Sequence, residues 1–361
     1  MIREARSFVY LSAFYVEWDA YAVELLNALG DARARGAEVN LLIDGFGQRL
    51  GAVLMSSADR QALSARLDGL RSSGTTVSFY KPAHLAQRLL GGGQHVKIQV
   101  SDGGEAIFGS SNITKTSFEG WNEYSVAVRG PITRTLLESY REIGGTVSDR
   151  HLRELDEVCD DTSADHELDY WLCNPNTEQG PLGPLGWRGE NEVTSRMIEM
   201  LDAARTSVCI TSFYFKPVEP LMAALVRAAK RGVHIEVFHS HRDALAATDL
   251  AWIAAAVNYD RLLSSGVTVF ENRHGEHSKI ILVDDDWVAF GSYNFEDAAH
   301  DRLAEAMLSS RDSRAVEPAA KIFADLRRDP DNAVVTWESL AGLPEHVRKR
   351  IARFGRFKWW M

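Results

Sequence analysis

Short apolar runs alternate with stretches of helical spacing, and the whole pattern occurs twice along the chain. Residues 4–15, EARSFVYLSAFY, align with 203–214, AARTSVCITSFY: Ala5 and Arg6 answer Ala204 and Arg205, and Phe14 and Tyr15 answer Phe213 and Tyr214. Each is followed by Ala and Leu at helical spacing, ending in Arg-Gly (Arg35-Gly36, Arg231-Gly232), and then by a short apolar run, VNLLID or IEVFHS. The pattern predicts strand, helix, strand in each copy. Each copy then predicts a further strand carrying charge, HVKIQVSD or HSKIILVD, turn residues, and a strand ending in Phe-Gly-Ser. Such alternation implies α/β layers with a largely parallel sheet, duplicated within one chain.

This pattern divides the chain into a first half at 1–150, a linker at 151–190, a second half at 191–330 and a tail at 331–361. The linker joins an acidic cluster, Asp156 to Asp169, to the turn-rich NPNTEQGPLGPLG. The halves are not equal at their starts. The second has about a dozen residues, GENEVTSRMIEML, ahead of its Ala-Ala-Arg mark, whereas the first begins almost on it, so the expectation is a reduced cap or a truncated start.

Composition narrows the picture modestly. The 361 residues are 45% hydrophobic and 25% charged, ordinary for a globular chain with a sizeable core. A net charge of -10 disfavours nucleic acid as a partner. Cys159, Cys173 and Cys209 show neither C-x-x-C spacing nor an even count, which points to a reducing compartment. No stretch approaches the roughly 18 apolar residues of a membrane span, so the reading is a cytoplasmic protein, peripheral on a membrane.

The chemistry lies in the duplicated charged strand. His95, Lys97 and Asp102 form H-x-K-x4-D, followed by Ser110, Asn112 and Glu123; His277, Lys279 and Asp284 repeat it, followed by Ser292, Asn294 and Glu305. His to Asn spans 17 positions in both copies, and Asn to Glu spans 11 in both. Residues two apart on a strand share a face, so each His and its Lys project into one space. Two imidazoles, two ammonium groups and two amides suit a phosphoryl centre carrying developing negative charge. One imidazole attacks phosphorus while the other protonates the leaving alcohol, and Glu123 or Glu305 holds each ring in its tautomer. A covalent phosphohistidine results, and the chemistry calls for no cofactor or metal.

These paired motifs, with GSSN and GSYN behind them, resemble the phospholipase D superfamily over nearly the whole chain. The resemblance implies two pseudo-symmetric α/β/α sandwich halves with one active site at their junction. It implies His95 as nucleophile, His277 as general acid, and Asp102 and Asp284 as structural supports. Within the superfamily, LLIDGFG (41–47) and SFYFKP (212–217) resemble segments of cardiolipin synthases. That implies phosphatidyl transfer to an alcohol acceptor such as a second phospholipid.

The C-terminal HVRKRIARFGRFKWWM sets Arg348, Lys349, Arg350, Arg353, Arg356 and Lys358 among Phe354, Phe357, Trp359 and Trp360, a composition suited to an anionic membrane surface or to packing on the body. His239, His241 and Asp243 lie where a strand meets a loop and read as head-group contacts or solvated loop rather than a zinc site. Asp44 reads in the same way, as a head-group contact or solvated loop rather than a metal ligand, with Gly45 serving the turn. A phospholipase D or nuclease-type hydrolase, and a non-catalytic membrane-binding protein, remain the alternatives, and the oligomeric state is left open.

Overall fold

The computed structural model describes residues 1–159, 166–187, 189–245 and 249–354. Part of the acidic cluster after Cys159 and the end of the tail, including Arg356, Phe357, Lys358, Trp359 and Trp360, lie outside them. The chain forms two compact units. The first comprises Met1–Glu119, Glu123–Gly189 and Arg302–Ala306; the second comprises Gly120–Asn122, Glu190–Asp301 and the remainder from Met307.

The first unit runs β1 (Phe8–Ala13), α1 (Ala20–Ala34), β2 (Glu38–Asp44), α2 (Gly45–Leu54), α3 (Ser57–Ser72), β3 (Thr76–Tyr80), α4 (Leu85–Leu89) and β4 (Gly93–Gln94). It continues with β5 (Lys97–Ser101), β6 (Glu105–Gly109), β7 (Ser125–Arg129), α5 (Ile132–Glu142), α6 (Asp149–Val158), β8 (Asp169–Cys173) and α7 (Pro175–Glu178). Its main sheet has the order β3-β2-β1-β5-β6-β7. β1, β2 and β3 are parallel, whereas β5 joins β1 antiparallel and β6 and β7 continue antiparallel. The expected largely parallel sheet is therefore half parallel. Helical crossovers make the first three strands parallel, but Asp102–Gly104 is too short for a crossover and can only reverse the chain.

Both faces are covered. Val9, Leu11 and Ala13 pack with Leu26 and Leu29 of α1 and Leu67 and Leu70 of α3. From the opposite face of β1, Tyr10 meets Tyr140 of α5 and bonds His151 of α6 at 2.8 Å. Alternate residues of one strand thus bury into two helical layers.

The second unit repeats the plan with α8 (Glu192–Ala203), β9 (Ser207–Ser212), α9 (Glu219–Lys230), β10 (His234–Ser240), α10 (Leu250–Ala256), α11 (Tyr259–Ser264) and β11 (Thr268–Asn272). Then come β12 (Ile280–Val283), β13 (Trp287–Gly291), α12 (Asp297–Asp301), β14 (Leu303–Ser310), α13 (Ser313–Arg328), β15 (Asn332–Val334), α14 (Trp337–Ala341) and α15 (Glu345–Phe354). Strands run β15-β11-β10-β9-β12-β13-β14, the same order and directions as the first sheet with β15 added at the edge. β14 serves both units. Its leading residues Leu303 and Ala304 pair with Gly93 and Gln94 in the first, and Met307 onward pairs with β13 in the second. No helix among the described residues is long and apolar enough to cross a membrane.

Candidate active site

Both motif histidines precede their strands: β5 opens at Lys97 and β12 at Ile280, so His95 and His277 lie on the lead-in rather than within the ladder. His95 is held by backbone all the same. Its N–H donates to the Ala304 carbonyl at 2.8 Å, and the Gly93 N–H donates to the Arg302 carbonyl at 3.1 Å. That pairing lays Glu305 against the ring, with Nδ1 of His95 at 3.0 Å from Oε1 and 3.2 Å from Oε2. Glu305 is fully buried. A carboxylate at Nδ1 keeps the proton there and leaves the Nε2 lone pair as the reactive position.

Phe14 packs against both His95 and Lys97. Its ring meets His95 edge-on at 4.6 Å, and the Lys97 ammonium lies 5.6 Å from the same centroid while donating to the His95 carbonyl at 2.8 Å. The Ser110 hydroxyl donates to Glu123. Asn112 is buried, and among the described residues its Oδ1 has no hydrogen-bond partner.

The second set has matching parts. Lys279 is buried and donates to the His277 carbonyl. Phe213, the repeat counterpart of Phe14, meets His277 edge-on at 4.6 Å, and Trp121 stacks on the same imidazole at 4.8 Å while its ring lies 4.7 Å from Phe213. Asn294 is buried with an Oδ1 that likewise lacks a partner among the described residues. A buried amide end without a partner is costly, and here it recurs at matched positions of the two units.

Behind His277 sits a carboxylate that the sequence reading passed over. Glu276 is fully buried; Oε1 accepts from the Ser278 N–H at 3.0 Å and Oε2 from the Asn122 amide at 3.2 Å. The Asn122 carbonyl in turn accepts the His277 N–H at 3.0 Å. Burial pushes the Glu276 carboxyl up to about 7, against the pull of Ser278, Asn122 and Lys279. The adjacent His drew attention away from it; an acid where the first motif has Gln94 was the available signal.

The motif aspartates point away from their histidines. Asp102 accepts the N–H groups of Arg6 and Ser7 at 2.8 and 2.6 Å. Asp284 does the same for Arg205, Thr206 and Ser207. Each staples the entry of the first strand of its unit to the end of the motif strand. Burial opposes ionisation of Asp284, yet these hydrogen bonds outweigh it and hold the carboxyl below its ordinary value.

Asp44 is fully buried as the N-cap of α2 and is not a solvated loop residue. It accepts from the Gly47 N–H at 2.6 Å and the Gln94 N–H at 2.9 Å, one residue before His95. Gly45 has no positive φ; a Cβ there would meet the Tyr80 carbonyl at 2.6 Å, so close approach demands the glycine. In SFYFKP, Lys216 is buried and paired with Asp297. His239 is not a loop residue but a buried member of β10, bonded to Tyr259 at 2.8 Å; His241 lies 3.3 Å from Asp243. Among the described residues no group of three or more His, Cys, Asp and Glu is placed to hold a metal. Within the basic tail, Arg350 pairs with Asp249 and Lys349 with Glu345.

A mixed α/β sheet repeated once, with His, Lys and Asn at matched points of each copy, defines a phospholipase D-type protein. Residues 1–143 and 197–327 match the family described as "Cardiolipin synthase, PLD-like domain", and the chain belongs to that family. Cardiolipin synthase B of Salmonella typhimurium is 25% identical over 86% of this chain and 72% of its own length. Cardiolipin synthase A of Pseudomonas aeruginosa is 28% identical over 98% of this chain and 67% of its own. Among solved structures, phosphatidylserine synthase of Haemophilus influenzae Rd KW20 aligns with 99% of this chain and 90% of its own with a TM-score of 0.70, a likeness of fold at 17% identity.

Proposed function

We propose that this chain is a phosphatidyltransferase of cardiolipin-synthase type in which His95 carries the phosphatidyl group. The observation that supports His95 most directly is its Nδ1 contact with buried Glu305, which leaves Nε2 as a neutral nucleophile. In the proposed first step Nε2 attacks the phosphorus of a phospholipid such as phosphatidylglycerol. The bond to the departing alcohol breaks, and His277, entering protonated, gives that alcohol its proton. In the second step His277 takes the proton of an acceptor hydroxyl, whose oxygen attacks phosphorus and frees His95. Proton and bond counts return to their start, so the net change is exchange of one alcohol for another.

Lys97, Lys279, Asn112 and Asn294 are assigned to the phosphoryl oxygens. Two cations and two amides offset charge that grows as phosphorus becomes five-coordinate. Glu123 and Ser110, with their counterpart Ser292, are supporting residues in this reading. Substrates are phospholipids, and the site of action is the surface of a membrane.

Purified protein with phosphatidylglycerol vesicles should yield cardiolipin and free glycerol, and His95→Ala should abolish both. Phosphatidic acid as the sole product would make the enzyme a hydrolase. Mass spectrometry of the enzyme trapped during turnover should place the phosphoryl adduct on His95; an adduct on His277 would reverse the two roles.

A further inference from the structure

In α2 the usual sides of a surface helix are exchanged. Its buried positions are Gly47 and Gly51, one turn apart. A Cβ at Gly47 would run into the Phe14 carbonyl, and one at Gly51 would meet the Tyr15 ring at 2.7 Å, so close approach to that pair demands glycine on the inner face. The outer face carries Leu50, Val53 and Leu54, which are 48%, 76% and 45% exposed. A helix bordering water buries its large apolar side chains and turns polar ones outward. This one does the reverse, although glycine is a poor helix former.

The apolar surface continues onto two neighbours. A Cβ at Gly91, just after α4, would meet the Phe46 ring of α2 at 3.3 Å. On its other side α4 packs on the turn Gly183–Leu185, where a Cβ at Gly183 would meet the Gln87 nitrogen at 3.1 Å. Leu85 and Leu89 of α4 are exposed, as are Leu182 and Leu185 of the turn. Among the described residues these three segments hold seven of the eleven exposed large hydrophobic side chains, a concentration that marks an interaction surface rather than scattered single residues. The same segments support the backbone next to His95. Asp44 caps α2 and accepts the Gln94 N–H, Gln87 donates to the Asn176 carbonyl at 2.9 Å, and the Asn176 amide donates to the Gly93 carbonyl at 2.8 Å.

Charge there is one-sided. Residues 45–58, 81–101 and 179–189 contain no Asp or Glu, in a chain that has 50 of them. Arg49, Lys81 and Arg88 are exposed on these segments. We propose that α2, α4 and the turn Gly183–Leu185 form the surface by which the first unit docks on an anionic lipid membrane, an inference that rests on the function proposed above. Leucine and valine enter the boundary between head groups and acyl chains, and the cations meet the anionic head groups. A second copy seated face to face would set Arg49, Lys81 and Arg88 against cations of the same patch, which disfavours self-association there. Docking on these helices brings the strand ends that lead into His95 to the lipid surface.

Three measurements on the full chain test this. Flotation with vesicles of phosphatidylglycerol and phosphatidylcholine should recover the wild type, and the double variant Val53→Asp, Leu89→Asp should lower the partition coefficient tenfold or more. Val158→Asp is the control: Val158 is 55% exposed but lies beside Gly104 in the hairpin after β5, at the other end of the sheet, and this variant should bind within twofold of wild type. Turnover of monomeric dihexanoyl phosphatidylglycerol by the double variant should also stay within twofold. An environment-sensitive fluorophore on Val53→Cys should shift to the blue on adding vesicles, and on Val158→Cys it should not; Cys159, Cys173 and Cys209 are buried, so labelling is selective, and this reading stands even if the double variant does not fold. Vesicle binding unchanged in the double variant, a loss as large in Val158→Asp, or a wild-type dimer that the double variant dissociates while vesicle binding persists overturns the proposal. If the double variant loses vesicle binding but the wild type transfers no lipid, the enzyme assignment fails and this surface stands. Transfer from vesicles that the double variant leaves intact does the reverse.

Discussion

Nδ1 of His95 lies 3.0 Å from the carboxylate of Glu305, a residue 210 positions away in the chain. The contact exists because β14 lends its leading residues to the first unit, where Ala304 accepts the His95 N–H. A charged acceptor at Nδ1 stabilises the imidazolium and fixes which nitrogen is nucleophilic. Glu305→Gln retains the shape but not the charge. It is expected to lower kcat by about 10²- to 10⁴-fold, the usual range for lost acid–base support, with KM for lipid changed little. Steady-state kinetics on a variant with a wild-type melting curve check this; an unaltered kcat would remove Glu305 from the mechanism.

Asn112 and Asn294 make a sharper test of phosphate binding. Each is buried with an amide oxygen that has no partner among the described residues. Rotating the amide presents its NH₂ in the same place, a donor for a phosphoryl oxygen. Asn112→Asp puts negative charge where the substrate brings its own. Its kcat/KM should fall about 10²- to 10³-fold, the size seen when one oxyanion donor is removed. Asn112→Ser, smaller and neutral, should lose less. If the two variants are equally impaired, charge at this position is not what matters.

The motif aspartates should behave oppositely. Asp284 bonds the N–H groups of Arg205, Thr206 and Ser207 and sits at φ 54°, a conformation Asn tolerates well. Asp284→Asn should therefore cost about 1–3 kcal/mol of stability through weakened charge-assisted bonds, while activity per folded molecule stays within twofold. The Asp284 carboxyl is held below its ordinary value, so its stabilisation is present above that value and is lost as pH falls through the folded-state value. Urea unfolding at pH 7 and at pH 3 should show the wild-type advantage shrinking on the acid side. An advantage that grew toward acid would contradict this account.

Much of this is legible in the amino-acid sequence. The repeat marks gave the duplicated α/β unit because Phe14 and Phe213 recur at the same distance from their strands, and the matched His, Lys and Asn spacing gave the superfamily. The cardiolipin-synthase reading of LLIDGFG and SFYFKP agrees with the family to which the chain belongs. Sheet direction was misread at β5, since apolar patterning does not show that the strand after α4 and β4 enters beside β1 antiparallel, although the three residues Asp102–Gly104 already dictate a hairpin to β6. Partnership was harder still. Nothing local to His95 announces Glu305, because strand pairing across 210 residues is set by tertiary structure, and the ring stack of Trp121 on His277 has the same origin. Glu276 was missed because a buried acid looks like a solvated one until its neighbours are known.

Glu276 carries the last prediction. Its carboxyl is pushed up to about 7 by full burial, against the pull of Ser278, Asn122 and Lys279. Between the ordinary glutamate value, about 4.5, and about 7 the folded protein therefore holds a proton that the unfolded chain has released. A raised carboxyl pKa makes stability fall as pH rises through that window and level off above it. A shift of this size corresponds to an amount on the order of 3 kcal/mol. Glu276→Gln keeps an acceptor for Ser278 and removes the titration. Its unfolding free energy should match wild type near pH 4.5 and exceed it by pH 8. Because the Asn122 carbonyl takes the His277 N–H and Trp121 covers the ring, the same variant should flatten any loss of kcat across pH 6–8 that arises from loosening of that loop. Chemical denaturation of both proteins at pH 5 and pH 8 decides it: a stability difference that is the same at the two pH values would rule out the buried, raised carboxyl.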